Sequence, residues 1–378
     1  MTATHTNDHE LILSNNRLAE IAEIITMQPS VGLDLEGNGR HRYPESVCLV
    51  QISIPGSIYI VDPLSVDDMS PLGNILSDER TEKILHSADY DLRCLDRDWG
   101  FRIRNLFDTS IGASLLGLPR TGLGAVLADV IEVDIPKSKR LQKSDWTIRP
   151  HGSEALDYAA SDVAHLHELR EAMRTRLDDL GRLTWMAEEC ERQLNVRYEA
   201  PDPRTAFLSI KGSHALEASG LSVLRELVAM RERHALRRGR PHFQVLANAT
   251  LITLASEPEV DLRKVAGLGP FGRKPLMSEL KQTLRLGLQA PPYERPPSPR
   301  RPRMASAGKK RMEKLKAWRK AHGEELKIDP SMVWPMASLE RLAWEPETVD
   351  GETRAQQEVR RWQAADFGRS LLKAVAGL

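Results

Sequence analysis

Apolar positions recur at helical spacing in LAEIAEIIT (18–26), and the period then shortens to two. VGLDLEG (31–37) is a short apolar run built around acids. SVCLVQISI (46–54) alternates in part, with Val50, Ile52 and Ile54 on one side and Gln51 and Ser53 on the other. Pro55-Gly56 then breaks the run, and SIYIVDP (57–63) follows. Strand, turn, strand, turn, strand predicts an antiparallel meander. Beyond it the pattern alternates: helix over 67–77, strand over 82–87, helix over 91–99, short strand over 105–107, helix over 108–116. A meander followed by βα units predicts a mixed sheet with helices packed on it. GLPRTGLG (117–124) reads as a loop between helices. From Ser153 to about Gln193 the pattern predicts one long helix or two abutting ones, with Ser153 as N-cap.

Pro201 and Pro203 mark a boundary, so the first domain is taken as 1–205. Residues 213–290 read as several helices, with Leu221, Leu224, Leu227 and Val228 on one apolar stripe. APPYERPPSPRRPR (290–303) is Pro-rich and basic, which predicts an extended linker over 291–309. Residues 310–378 return to helical patterning, and 322–343 reads as a worn second copy of the 213–290 unit.

Composition narrows the class. In 378 residues, 41% are hydrophobic and 28% charged, which excludes a fully disordered or collagen-like chain. No long apolar run predicts a membrane span, and the start lacks the pattern of a secretory signal. Cys48, Cys94 and Cys190 are far apart and form no CxxC pair, so no disulfide framework or zinc knuckle is expected. The expected compartment is the cytoplasm. The 53 basic and 53 acidic residues cancel, yet they are unevenly spread: ten Lys/Arg and one acid, Glu313, lie between Arg300 and Lys320. A second basic cluster, RERHALRRGR, spans 231–240. Such a chain suits metal binding in one place and phosphate binding in another, or simply a solvated face.

Asp34 and Glu36 are two apart in a strand candidate, so they share one face. Paired buried acids need compensation, and a hard divalent cation would supply it. The plainer reading is a strand end with solvated acids. Tyr158 and Asp162 are four apart on a predicted helix, hence also on one face. Ala159, Ala160 and Ser161 between them permit close approach. Asp91 opens a helix, where an N-terminal carboxylate is favoured in any case, and Asp89 competes for the same role.

Together GLDLEG, HSADYDLRCL and YAASD resemble the three exonuclease motifs of the DEDD superfamily, and the Tyr four before the last Asp resembles its tyrosine branch. FDTSIGASLLG (107–117) and KSDWTIRP (143–150) are similar to the ribonuclease D family, and 213–290 is similar to the HRDC domain. The resemblance covers nearly the whole chain. It implies an α/β, ribonuclease H-like exonuclease domain, a mixed sheet flanked by helices, followed by all-α HRDC-type helical domains. It also implies a 3′–5′ exoribonuclease with two divalent ions, Mg²⁺ or Mn²⁺, held by Asp34, Glu36, Asp91 and Asp162. Asp91 is preferred to Asp89 because Leu92 follows it, as in the family pattern. Tyr158 would orient the attacking water or help deprotonate it. Lys143 and Arg149 would meet phosphates; Trp146 would stack a base or pack, with packing preferred. His86 is expected as a hydrogen-bonded structural residue. The implied partner is RNA, tRNA precursors with 3′ extensions among them, acted on by a monomer without a membrane. Two other readings stay open: a non-catalytic RNA-binding adaptor on a nuclease fold, and a DNA 3′–5′ exonuclease. Deletion of 210–378 is expected to weaken RNA binding more than it slows bond breaking. No GxxxxGK[ST] stretch exists, which excludes a P-loop helicase.

Overall fold

The computed structural model describes residues 8–135, 138–295, 303–354 and 358–377. The meander forms as its alternation requires: β2 (Ser30–Gly37), β3 (Val47–Ile54) and β4 (Ser57–Val61) pair antiparallel. A strand not expected from the sequence, β1 (His9–Ile12), adds parallel to β4. It is followed by α1 (Asn15–Thr26), whose N-cap Ser14 accepts from the Arg17 backbone N–H at 3.3 Å. On the other side of β2 lie β5 (Glu82–Leu85) and then β6 (Leu106–Asp108), both parallel. The order is β1-β4-β3-β2-β5-β6, which places β2 inside the sheet.

Helices α2 (Ser70–Ser77), α3 (Asp89–Trp99) and α4 (Thr109–Leu115) alternate with the later strands as the pattern predicts. The segment after GLPRTGLG also contains α5 (Leu123–Ile131). The predicted long helix is three: α6 (Ser153–Ser161), α7 (Leu166–Asp179) and α8 (Leu183–Gln193). Gly181, at φ +67, makes the turn between the last two, and Gly152 rather than Ser153 is the N-cap of α6.

The segment expected as one helical unit holds α9 (Ala218–Arg238), α10 (His242–Val245), α11 (Asn248–Ser256) and α12 (Leu276–Gln289). Phe207, Leu224, Leu227, Met230, Leu251, Leu280 and others form its own core. Of the expected linker, residues 296–302 lie outside the described residues, and α13 (Ser306–Leu326) already begins within its stated span. Next come α14 (Pro330–Val333), α15 (Met336–Trp344), α16 (Val349–Glu352) and α17 (Arg361–Ala376). This C-terminal unit shares its core with the sheet domain. Leu315, Ile328, Trp334, Leu339, Trp362 and Phe367 belong to the same buried cluster as Leu33, Ile52 and Met186. All three Cys are buried and free. Among the described residues no helix is long and apolar enough to cross a membrane.

Candidate active site

Alternation along β2 sends Leu33 and Leu35 into the main core and turns Asp34 and Glu36 to the opposite face. Register places Asp34 opposite Gln51 and Glu36 opposite Leu49 on β3. Helix α6 covers this face: Ala159 and Ala160, both fully buried, pack with Cys48, Leu49, Ile60 and Trp146. The small side chains let the helix lie close. Tyr158 and Asp162, at its C-terminal end, thereby come to face the β2 acids.

The third segment arrives from β5. The chain leaves that strand through Ser87, at φ +63, and enters α3. Asp108 holds this turn: its carboxylate accepts from the backbone N–H of Ser87 at 2.9 Å and of Ala88 at 2.8 Å. It also caps α4 through Ser110 N–H at 2.8 Å. Asp108 is fully buried, and the sequence alone did not single it out. Asp91 sits in the first turn of α3, only 5% exposed, whereas Asp89 is exposed and pairs with Arg93 at 2.9 Å. Of the two, Asp91 is the one buried beside the other acids. His86 hydrogen-bonds Thr109 Oγ1 through Nδ1 at 2.8 Å, and burial pushes its pKa down.

Asp34, Glu36 and Tyr158 feel the other acids of the group. Burial raises Asp34 well above the usual carboxylate range, and Asp91, Asp162 and Glu36 raise it further. Burial, then Asp162 and Asp91, push Glu36 up to about 9. Asp91 is raised by burial and by Asp108, and burial brings Asp162 to about 7. Burial and the carboxylates of Asp162, Glu36 and Asp34 also push the Tyr158 phenol up. The main charges acting on the group are therefore other acids. Asp34, Glu36, Tyr158 and Asp162 are half-buried, so a ligand can reach them. Among the described residues no three His, Cys, Asp or Glu stand in a ready-made metal cage. Side-chain rotation would have to bring these carboxylates onto an ion.

The sequence matches the family model described as a 3′-5′ exonuclease over residues 10–178, and that of the HRDC domain over 220–282. The ribonuclease D of Pseudomonas paraeruginosa is 30% identical over 355 residues, 92% of each chain. The chain belongs to the ribonuclease D family. It is an exoribonuclease of the DEDD nuclease superfamily. The ribonuclease D of Gluconacetobacter diazotrophicus is also 30% identical, over 70% of this chain and 67% of that protein. Two solved structures show the same fold. Escherichia coli RNase D, "an exoribonuclease involved in structured RNA processing", matches with TM-score 0.72 at 22% identity, covering 98% of this chain and 99% of that one. A protein from Bifidobacterium adolescentis matches with TM-score 0.82 at 22% identity, covering 97% of both.

In this ribonuclease D chain the SDW stretch forms a scaffold behind the acids. Trp146 is 2% exposed, so it packs and leaves no ring face for a base. Its ring stacks with Tyr158 at 6.4 Å, and its indole N–H is turned toward Glu36 without closing a hydrogen bond. Arg149 corrects the expectation of a phosphate contact. Its guanidinium clamps the fully buried Asp62 at 2.5 and 2.8 Å and donates to the carbonyls of Trp146 and Cys48. The partners lie 87 residues apart in sequence, which is why the motif alone did not reveal the pair. Lys143 remains exposed, and its carbonyl is bonded to His41 Nε2 at 2.9 Å. Gln51 was legible only as a polar position in a partly alternating strand. It is fully buried, on the Asp34 face, with no protein hydrogen-bond partner for its amide.

Arg149→Ala is expected to leave a buried carboxylate unpaired, costing about 3–5 kcal/mol. Urea denaturation reads this directly. A midpoint equal to wild type would show that Arg149 serves the surface instead.

Proposed function

We propose that the chain is a metal-dependent 3′–5′ exoribonuclease that releases 5′ nucleoside monophosphates and matures tRNA 3′ ends. The supporting observation is the convergence of four buried or half-buried carboxylates from three distant segments, close enough that Asp91 and Asp162 both raise Asp34 and Glu36 beyond what burial does. Hard oxygen donors with excess negative charge fit Mg²⁺ or Mn²⁺. Asp34, Glu36, Asp91 and Asp162 would hold two such ions. Bound there, the cations would supply the positive charge that activates water and steadies the departing 3′ oxygen. Asp108 and α6 fix the angles from which the carboxylates reach inward. Tyr158, which feels the Asp162, Glu36 and Asp34 carboxylates, would orient the attacking water or help deprotonate it. Trp146 excludes solvent behind Glu36. The 1–205 segment would carry the chemistry, with 213–290 and 310–378 as helical units. A cytoplasmic monomer acting on RNA without a membrane completes this reading.

A 3′-extended tRNA precursor and a matched DNA, each with chelator or with titrated Mg²⁺ or Mn²⁺, test it. Stepwise release of mononucleotides from the RNA is expected only with the ion. Binding without release would favour the adaptor, faster DNA digestion would favour the DNA enzyme, and chelator-resistant cleavage would remove the metals.

A further inference from the structure

On the exonuclease reading, a strand whose 3′ end reaches the acids must continue out of the cleft. The loop between β2 and β3 starts directly after Glu36 and Gly37, so Arg40 lies within about 14 Å of Glu36 along the chain. That loop touches the first helical unit. Gln244 Nε2 donates to the Arg40 carbonyl at 2.8 Å, and the Tyr43 ring packs on His242 at 4.4 Å. The same loop is tied to the SDW stretch by Arg42–Asp145 at 3.0 Å and by His41 to the Lys143 carbonyl. Arg40, Lys143 and Arg240 are exposed around this seam.

Between Arg240 and Gln244 stands Phe243, 61% exposed. The acids here are engaged: Glu232 by Tyr43 and His242, Glu45 by Arg97 and Tyr90, Asp145 by Arg42. Two further cations of the basic cluster, themselves exposed, are held by their own unit, Arg237 at His234 and Arg238 over the Phe271 ring. Among the described residues Arg40, Lys143 and Arg240 have no acid partner, so the exposed Phe243 ring stands among unspent positive charge. That combination binds single-stranded nucleic acid, with bases stacked on the ring and phosphates on the cations.

We propose that Phe243, with Arg40, Lys143 and Arg240, forms a station at the seam between the nuclease domain and the first helical unit that holds the single-stranded RNA tail a few nucleotides upstream of the scissile bond. Phe243 takes a base without regard to its identity. The three cations neutralise backbone phosphates.

Fluorescence anisotropy of the full-length chain with an oligoadenylate of about a dozen nucleotides, in EDTA, reads this station apart from hydrolysis. Phe243→Ala is expected to weaken the complex about tenfold with the salt slope unchanged, and Phe243→Trp to restore it. Arg40→Ala and Arg240→Ala should each flatten the slope of log affinity against log salt by about 0.7. The ratio of affinities for the long oligomer over a dinucleotide should fall about tenfold in Phe243→Ala. Long-oligomer binding within twofold of wild type, or equal loss on both lengths, overturns the proposal, and a ring that instead docks a protein gives the first of these. Binding with the expected pattern but no nucleotide released with metal would sink the exonuclease reading and leave the station standing.

Discussion

Asp34→Asn is expected to abolish nucleotide release, by on the order of a thousandfold or more, while making the metal-free protein harder to unfold. The first effect follows from removing the central charge that would hold the cations, a loss of about 4 kcal/mol of transition-state stabilisation. The second follows from relief of repulsion. Burial, then Asp91, Asp162 and Glu36, all disfavour the Asp34 carboxylate, so an amide in its place escapes the desolvation and the three neighbouring charges together. A variant that lost activity because it misfolded would melt lower; this one should melt higher by a few degrees in EDTA and gain nothing from added Mg²⁺. Unchanged activity, or a lower melting point in EDTA, would remove Asp34 from the centre of the site.

The same charges give the metal-free enzyme a pH signature. Unfolded, these carboxyls titrate in the ordinary range near 4. Folded, Asp162 titrates near 7 and Glu36 near 9. Between those limits the folded state binds more protons than the unfolded chain, so its stability falls as pH rises. Their favourable contribution is full below the unfolded values and is lost on passing the folded ones. Urea midpoints in EDTA should therefore drop from pH 5 to pH 9, and saturating Mg²⁺ should flatten that fall. A midpoint that rose with pH in EDTA would mean the acids are paired with cations of the protein itself.

What the sequence disclosed depended on range. That Asp34 and Glu36 share a face was readable because a strand's two-residue period is local, whereas the residues alone left Asp89 and Asp91 open and only the family resemblance preferred Asp91. The meander was readable from the same two-residue period. β1 was not: His9–Ile12 is four residues long and pairs with β4 across more than forty residues, with no local turn to announce it. Asp108 looked like part of a helix start, and only the fold shows its second oxygen on the turn before α3. Lys83 is a similar case. It sits fully buried in β5 because its ammonium bonds the carbonyls of Asp78 and Thr81, and burial lowers it to about 8. Arg149 carried a motif whose meaning depended on Asp62, a residue no spacing rule connects to it.

Removing the C-terminal unit is expected to unfold the nuclease domain rather than simply loosen its hold on RNA, and here the structure alters the expectation drawn from the sequence. The two share a core. Trp362 is 4% exposed and stacks on Trp185 of α8 at 4.2 Å, donating its indole N–H to Glu189 at 2.9 Å. Glu188 accepts the backbone N–H groups of Arg361 and Trp362, so α8 supplies the cap of α17. Arg182 bonds the carbonyls of Leu115 and Leu326, joining α4 to α13. At Gly117 an added Cβ would stand 1.8 Å from the Lys327 carbonyl, so the two backbones meet with no room for a side chain. Trp362→Ala should cost about 3–5 kcal/mol, from the lost ring and the cavity left against Trp185. Truncation after residue 295 should cost more, since it uncovers Trp185, Glu188 and Glu189 together. The first helical unit has its own core and meets the nuclease through Tyr43 and Gln244, so removing the Tyr43–Glu232 hydrogen bond by Tyr43→Phe should cost far less. Urea unfolding of the three variants orders them. A truncated chain that kept the wild-type midpoint and single-turnover rate would show that the C-terminal unit is a separable RNA-binding module after all.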